Sequence, residues 1–87
     1  MNDEAILEEL VGLLENHGVK VRREVIDDST GGLCRIGGKP VMFLNTITDP
    51  IKSAEACAKA LCEVADIDSI YLRPNIRQFI ESIKERG

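Results

Sequence analysis

Gly31-Gly32-Leu33-Cys34-Arg35-Ile36-Gly37-Gly38-Lys39-Pro40-Val41-Met42-Phe43-Leu44-Asn45 is the stretch on which the fold turns. Two short strand-like runs flank a Gly37-Gly38 pair. A tight type I′ hairpin needs positive φ at both central positions, and glycine supplies it without steric cost. The second run, Val41 to Leu44, is apolar at every position. A strand with one wet face alternates instead, so this run predicts a strand covered on both faces, by the chain itself or by a partner.

Outward from the hairpin, the elements follow from periodicity. Residues 3–17 place Ile6, Leu7, Leu10, Val11, Leu13 and Leu14 at helical spacing. Asn2 or Asp3 can cap this helix, early acids suit its positive end, and His17 and Gly18 close it. Val19, Val21 and Val25 alternate with Lys20, Arg22 and Glu24 over 19–26, a half-buried strand, with Arg23 on the valine side. Asp27 to Gly32 is a turn by composition. Thr48 or Asp49 caps a second helix that Pro50 opens, running to about Val64 and rich in Ala and Cys. Ser69-Ile70-Tyr71-Leu72 reads as a short fourth strand. Pro74 opens a third helix with Ile76, Phe79, Ile80 and Ile83 at i, i+3, i+4 and i+7.

The expected fold is a single α+β domain over residues 1–87, in the order α-β-β-β-α-β-α. Strands one to three form an antiparallel meander. A right-handed crossover through the second helix sets the fourth strand parallel to the third, giving sheet order 1-2-3-4.

Composition bounds the function. With 87 residues, 44% apolar and 30% charged, the chain is an ordinary small globular domain. Net charge is −4 and only three aromatics are present, which argues against a phosphate track or a base-stacking platform, so no nucleic acid is expected as a partner. Charge is segregated: Asp3, Glu4, Glu8, Glu9 and Glu15 come before any Lys or Arg, then Lys20, Arg22 and Arg23 follow. The two segments either neutralise each other or leave a basic patch for an anion. No apolar run approaches the length of a membrane span, about 20 residues, so no membrane is expected either. The acidic start lacks the positive, apolar leader of a secreted chain, and the three cysteines are odd in number. Together these predict a reducing, cytoplasmic setting.

The chemistry-bearing residues are few. On a helix, Cys57 and Cys62 diverge by roughly 140° and cannot share one ion. No metal and no cofactor is therefore expected. Cys34 could act as a nucleophile only with a base or cation beside it, and the neighbouring Arg35 points to the opposite face of a strand. Gly31-Gly32 and Gly37-Gly38 open no helix, unlike phosphate-binding loops. The strand–hairpin–helix order of the middle segment is similar to the core of small zincin peptidases. Their helix carries H-E-x-x-H, whereas this one reads Glu55-Ala56-Cys57-Ala58-Lys59-Ala60-Leu61-Cys62-Glu63, so the likeness is architectural and implies no activity.

These observations lead to a non-catalytic interaction module, self-associating as a homodimer through the apolar third strand, with Val41 and Phe43 at the interface. The alternatives are a binder of a small anion through Arg23, Arg35 or Arg73, and a thiol enzyme using Cys34.

Overall fold

The computed structural model describes residues 2–26 and 31–86. Helix α1 (Asp3–Asn16) is followed by strands β1 (Lys20–Glu24), β2 (Gly31–Ile36) and β3 (Lys39–Asn45). Helices α2 (Pro50–Val64) and α3 (Pro74–Arg86) complete the chain, with a 3₁₀ turn at Ile67–Ser69 between them. The α+β class and the three helices match the sequence reading. Of the expected turn Asp27 to Gly32, residues 27–30 lie outside the described residues, and Gly31 and Gly32 belong to β2 instead.

Local chemistry explains the ends of the elements. Asn2 Oδ1 accepts from the Ala5 N–H at 2.8 Å, satisfying one orphan donor of α1. Pro50 opens α2 behind Asp49, although the Asp49 side chain makes no capping bond. Gly37 and Gly38 have φ of 59° and 81°, the type I′ geometry predicted for the hairpin.

The sheet corrects the expected topology. Its order is β1-β3-β2, with β1 parallel to β3 and β2 antiparallel to it. There is no antiparallel meander and no 1-2-3-4 order. The reason lies in the apolar run. Val41, Met42 and Leu44 are buried, and the central position gives them the most shelter, which β1 and β2 provide by flanking β3 on both sides. Asn45 secures the parallel partner. Its Oδ1 accepts from the Ile26 N–H at 3.2 Å, and its Nδ2 donates to the Ile26 carbonyl at 2.5 Å. Thr46 N–H donates to the Glu24 carbonyl at 3.0 Å. A side-chain amide thus continues the ladder where the parallel backbone pairing runs out.

With both sides of β3 occupied, no slot next to it remains for a fourth strand. Residues 69–72 form none. Asp66 instead folds the chain locally, accepting from the Asp68 N–H at 3.1 Å and the Ser69 hydroxyl at 2.7 Å. Those two hydrogen bonds, the hydroxyl first, hold the Asp66 carboxyl below the usual carboxylate range. Ile67 and Leu72 are buried while Tyr71 stands 83% exposed.

The core is built on one side of the sheet. Met42 and Leu44 of β3, with Val21 of β1 and Leu33 of β2, pack against Leu10, Leu14, Ala54, Cys57, Ala58 and Leu61 of the first two helices. In α3, Ile76, Ile80 and Ile83 are buried, whereas Phe79 lies at the margin. Val41, Phe43 and Ile36 are outside this core. The period-two alternation of strands therefore leaves a second sheet face without helices, among the described residues.

Candidate binding surface on the helix-free sheet face

Strand register decides what the open face carries. Lys20 pairs with Val41, and Cys34 pairs with Val41 from the other side. Arg22 and Gly32 flank Phe43, and Ile36 pairs with Lys39. The face therefore presents Val41 and Phe43 along its centre, Ile36 and Cys34 toward the β2 edge, and Lys20, Arg22 and Lys39 around them. Val41 is only 6% exposed, sheltered by its cross-strand neighbours, while Ile36 is 55% exposed. A hollow of about 260 Å³ opens here, lined by Lys20, Arg22, Ile36, Lys39, Pro40 and Val41. Three cations and an apolar floor surround it.

The cations are positioned differently. The Arg22 guanidinium carbon lies 5.9 Å from the centroid of Phe43, within cation–π range. Its Nε is 3.0 Å from Glu24 Oε2, and both side chains are about half exposed. Such a pair contributes little to stability in water, on the order of 0–1 kcal/mol. It tethers the Arg22 side chain on the same strand as Glu24. Among the described residues, neither Lys20 nor Lys39 has a carboxylate within salt-bridge distance. Lys20, Arg22 and Lys39 thus form a basic concentration on a chain whose net charge is −4.

The arginines singled out from the sequence do not share a site. Arg23 shares the sheet face of the helices and is held by Glu8 of α1, its two guanidinium nitrogens donating at 2.8 and 2.7 Å. The partner lies on the acidic helix α1. This hydrogen bond, more than the bare charge, pulls the Glu8 carboxyl below its ordinary range and pushes Arg23 up. Arg35 stands at the hairpin tip and donates to the Gly38 carbonyl at 3.4 Å. Arg73 lies across the molecule, 3.6 Å from Glu9, where Tyr71 and Leu72 meet α1. The expected neutralisation is made by Arg23 with α1, while Lys20 and Arg22 point the other way. The alternation of Lys20 and Arg22 around Val21 carried that signal. Lys39 was missed, although alternation along β3 puts it on the face of Val41 and Phe43; only the register of β1 on β3 brings it together with Lys20 and Arg22.

The thiols also separate. Cys57 is fully buried, and burial pushes its thiol up to about 12, with Arg23 acting in the opposite direction. Cys62 is half-buried and Cys34 is exposed on the open face. The cross-strand neighbour of Cys34 there is Val41, and Lys20 stands one strand further on. The imidazole Nδ1 of His17 is 2.9 Å from the Leu13 carbonyl of its own helix. Among the described residues no group of three or more His, Cys, Asp or Glu is arranged to hold a metal ion, and no helix is long and apolar enough to cross a membrane.

Comparison of the chain with known protein families, with curated proteins and with solved structures found no match.

Proposed function

We propose that this chain is a non-catalytic interaction module whose binding surface is the helix-free face of the sheet, and that its partner there is an acidic protein segment. The observation that carries this reading is the face itself. Val41, Phe43 and Ile36 lie outside the core on one surface, ringed by Lys20, Arg22 and Lys39. An apolar centre with a charged rim is the anatomy of a recognition surface. The charge selects the partner. Two copies of this face stacked on each other would set cations against cations, so face-to-face self-association is disfavoured and an acidic segment with apolar side chains is favoured. A nucleic acid is the less suitable polyanion, because Phe43 is the single aromatic on the face and Arg22 already covers it. The exposed free thiol and the absence of disulfides among the described residues suit a reducing, cytoplasmic setting.

A second reading, a small anionic ligand, draws its support from the size of the hollow, about 260 Å³, which is near the lower end for small-molecule sites. It uses Lys20, Arg22 and Lys39 in place of Arg23, Arg35 and Arg73.

Fluorescence polarisation with a labelled peptide of alternating Glu and Leu tests the main reading. Binding is expected to weaken as salt rises, and Lys20→Glu with Lys39→Glu is expected to weaken it about tenfold, the equivalent of about 1.4 kcal/mol. Equal affinity of the double variant, or tighter salt-dependent binding to single-stranded DNA than to the peptide, overturns it. A rise in melting temperature with inorganic pyrophosphate but not with the peptide favours the small-anion reading.

A further inference from the structure

The outer edge of β2 can be read residue by residue. The type I′ turn at Gly37-Gly38 closes on the pair Ile36–Lys39, whose backbones are joined by the turn hydrogen bond. Bonded and non-bonded pairs alternate along an antiparallel ladder. Cys34–Val41 is then bonded, while Arg35–Pro40 and Leu33–Met42 are not. Pro40 agrees with this count, because it has no N–H to give and stands where none is required. The N–H and C=O groups of Leu33 and Arg35 therefore point away from β3. Among the described residues no strand pairs with that side of β2.

Helix α2 runs beside this edge. A groove of about 320 Å³ lies between them, floored by Leu33, Ala56 and Ala60, with Lys52, Lys59 and Glu63 along its rim. Lys52, Ala56, Lys59 and Glu63 follow each other at i, i+4, i+7 and i+11, one stripe of the helix surface. Set antiparallel to itself about a two-fold axis, the stripe is self-complementary. Lys52 meets Glu63 of the second copy, and Ala56 meets Lys59, each contact occurring twice. Glu55, which also pairs with Arg86 at 3.3 Å, comes diagonally opposite Lys59 of the second copy. Set parallel and in register, the same stripe would place Lys against Lys and Glu against Glu.

We propose that two copies of the chain join edge to edge through β2. The two β2 strands run antiparallel across a two-fold axis, forming one continuous sheet, and the two α2 helices lie side by side on its covered face. The spacing is consistent. Helix α2 packs on β2 and β3, and strands are about 4.8 Å apart, so each α2 axis stands about 5 Å from the two-fold and the helices about 10 Å from each other, at the upper end of the usual packing distance. A foreign extended peptide would satisfy the same backbone groups. Only a second copy also uses the alternating charges of α2. The helix-free faces stay uncovered, so this inference stands independently of what they bind.

Light scattering at tens of micromolar is expected to give close to twice the 9.6 kDa chain mass. Arg35→Pro removes an outward N–H that the hairpin does not use and is expected to yield a folded monomer. Lys52→Glu sets like charges across the two-fold twice and is expected to raise the dissociation constant about tenfold, and Lys52→Glu with Glu63→Lys is expected to restore it. Circular dichroism checks the fold of each variant; should Arg35→Pro unfold, the charge-reversal pair decides alone. A monomeric wild-type chain, a dimer indifferent to Lys52→Glu, or a double variant that stays dissociated overturns the proposal.

Discussion

Replacing Gly31 with Ala is the sharpest test of how β2 lies on β3. Gly31 pairs with Leu44 and has φ of 102°. A Cβ built there would sit 2.0 Å from the Phe43 carbonyl oxygen and 2.9 Å from its carbon. The obstacle is backbone, which cannot rotate away as a side chain would. To bring that oxygen to ordinary contact the strand end must retreat by about 1.4 Å, given that van der Waals contact begins at 3.4 Å. A hydrogen bond stretched that far is lost. The neighbouring Gly32–Phe43 pair is a bonded one by alternation, so its two bonds are at risk, each worth about 1 kcal/mol net. The left-handed backbone adds about 1–2 kcal/mol for any residue with a Cβ. The expected cost is therefore about 3–4 kcal/mol, a large share of the roughly 5–15 kcal/mol that holds a small domain. Gly32→Ala is the control. It meets nothing within 4 Å and has no positive φ, so a change within about 0.5 kcal/mol is expected. The chain has no tryptophan, so urea unfolding is followed by far-ultraviolet circular dichroism. A Gly31→Ala loss under about 1 kcal/mol, or one equal to that of Gly32→Ala, would refute the close approach of β2 to Phe43.

The helix α3 stripe separates two neighbours: Ile80→Ala, at a fully buried site, is expected to cost about 2–5 kcal/mol, and Phe79→Ala, at the margin of the core, distinctly less, both read from urea midpoints. Brief alkylation of the native chain followed by mass spectrometry is expected to label Cys34 first and leave Cys57 unmodified, since the latter is buried and its thiol is held protonated; complete labelling of Cys57 without unfolding would contradict the packed core. The Glu8 carboxyl is lowered in the folded state, so its pairing with Arg23 stabilises the fold above the unfolded value near 4.5 and is lost as pH falls through the lower folded value. Because the pair is exposed, acid melts of Glu8→Gln against wild type are expected to differ by no more than about 1 kcal/mol at neutral pH, with the difference vanishing at low pH.

The sequence by itself determined the elements whose causes are local. The period of Ile6, Leu10 and Leu14 made α1, and Asn2 capped it. Pro50 and Pro74 opened α2 and α3 where they stand in the chain. Gly37-Gly38 set the hairpin turn, because only its own two residues must adopt positive φ. The unbroken run Val41 to Leu44 announced a strand covered on both faces, whereas among the described residues helices cover one face of β3 and its shelter on the other comes from the flanking strands. Which strand flanked it was not local information. Adjacent strands pair by default, yet here β1 crosses to the far side of β3, where the Asn45 amide meets Ile26. That contact joins residues far apart in the chain and has no periodic signature. The same non-local decision removed the fourth strand, since a β3 flanked on both sides leaves no place for Ser69 to Leu72. It also divided the cations. Alternation put Lys20 and Arg22 on one face and Arg23 on the other, but only the helices' choice of side made one face buried and the other open. Lys39 shares the face of Val41 and Phe43 by alternation along β3, and register alone brings Lys20 and Arg22 to the same face. Pattern along a chain fixes which residues share a face; long-range packing decides which face is left to water.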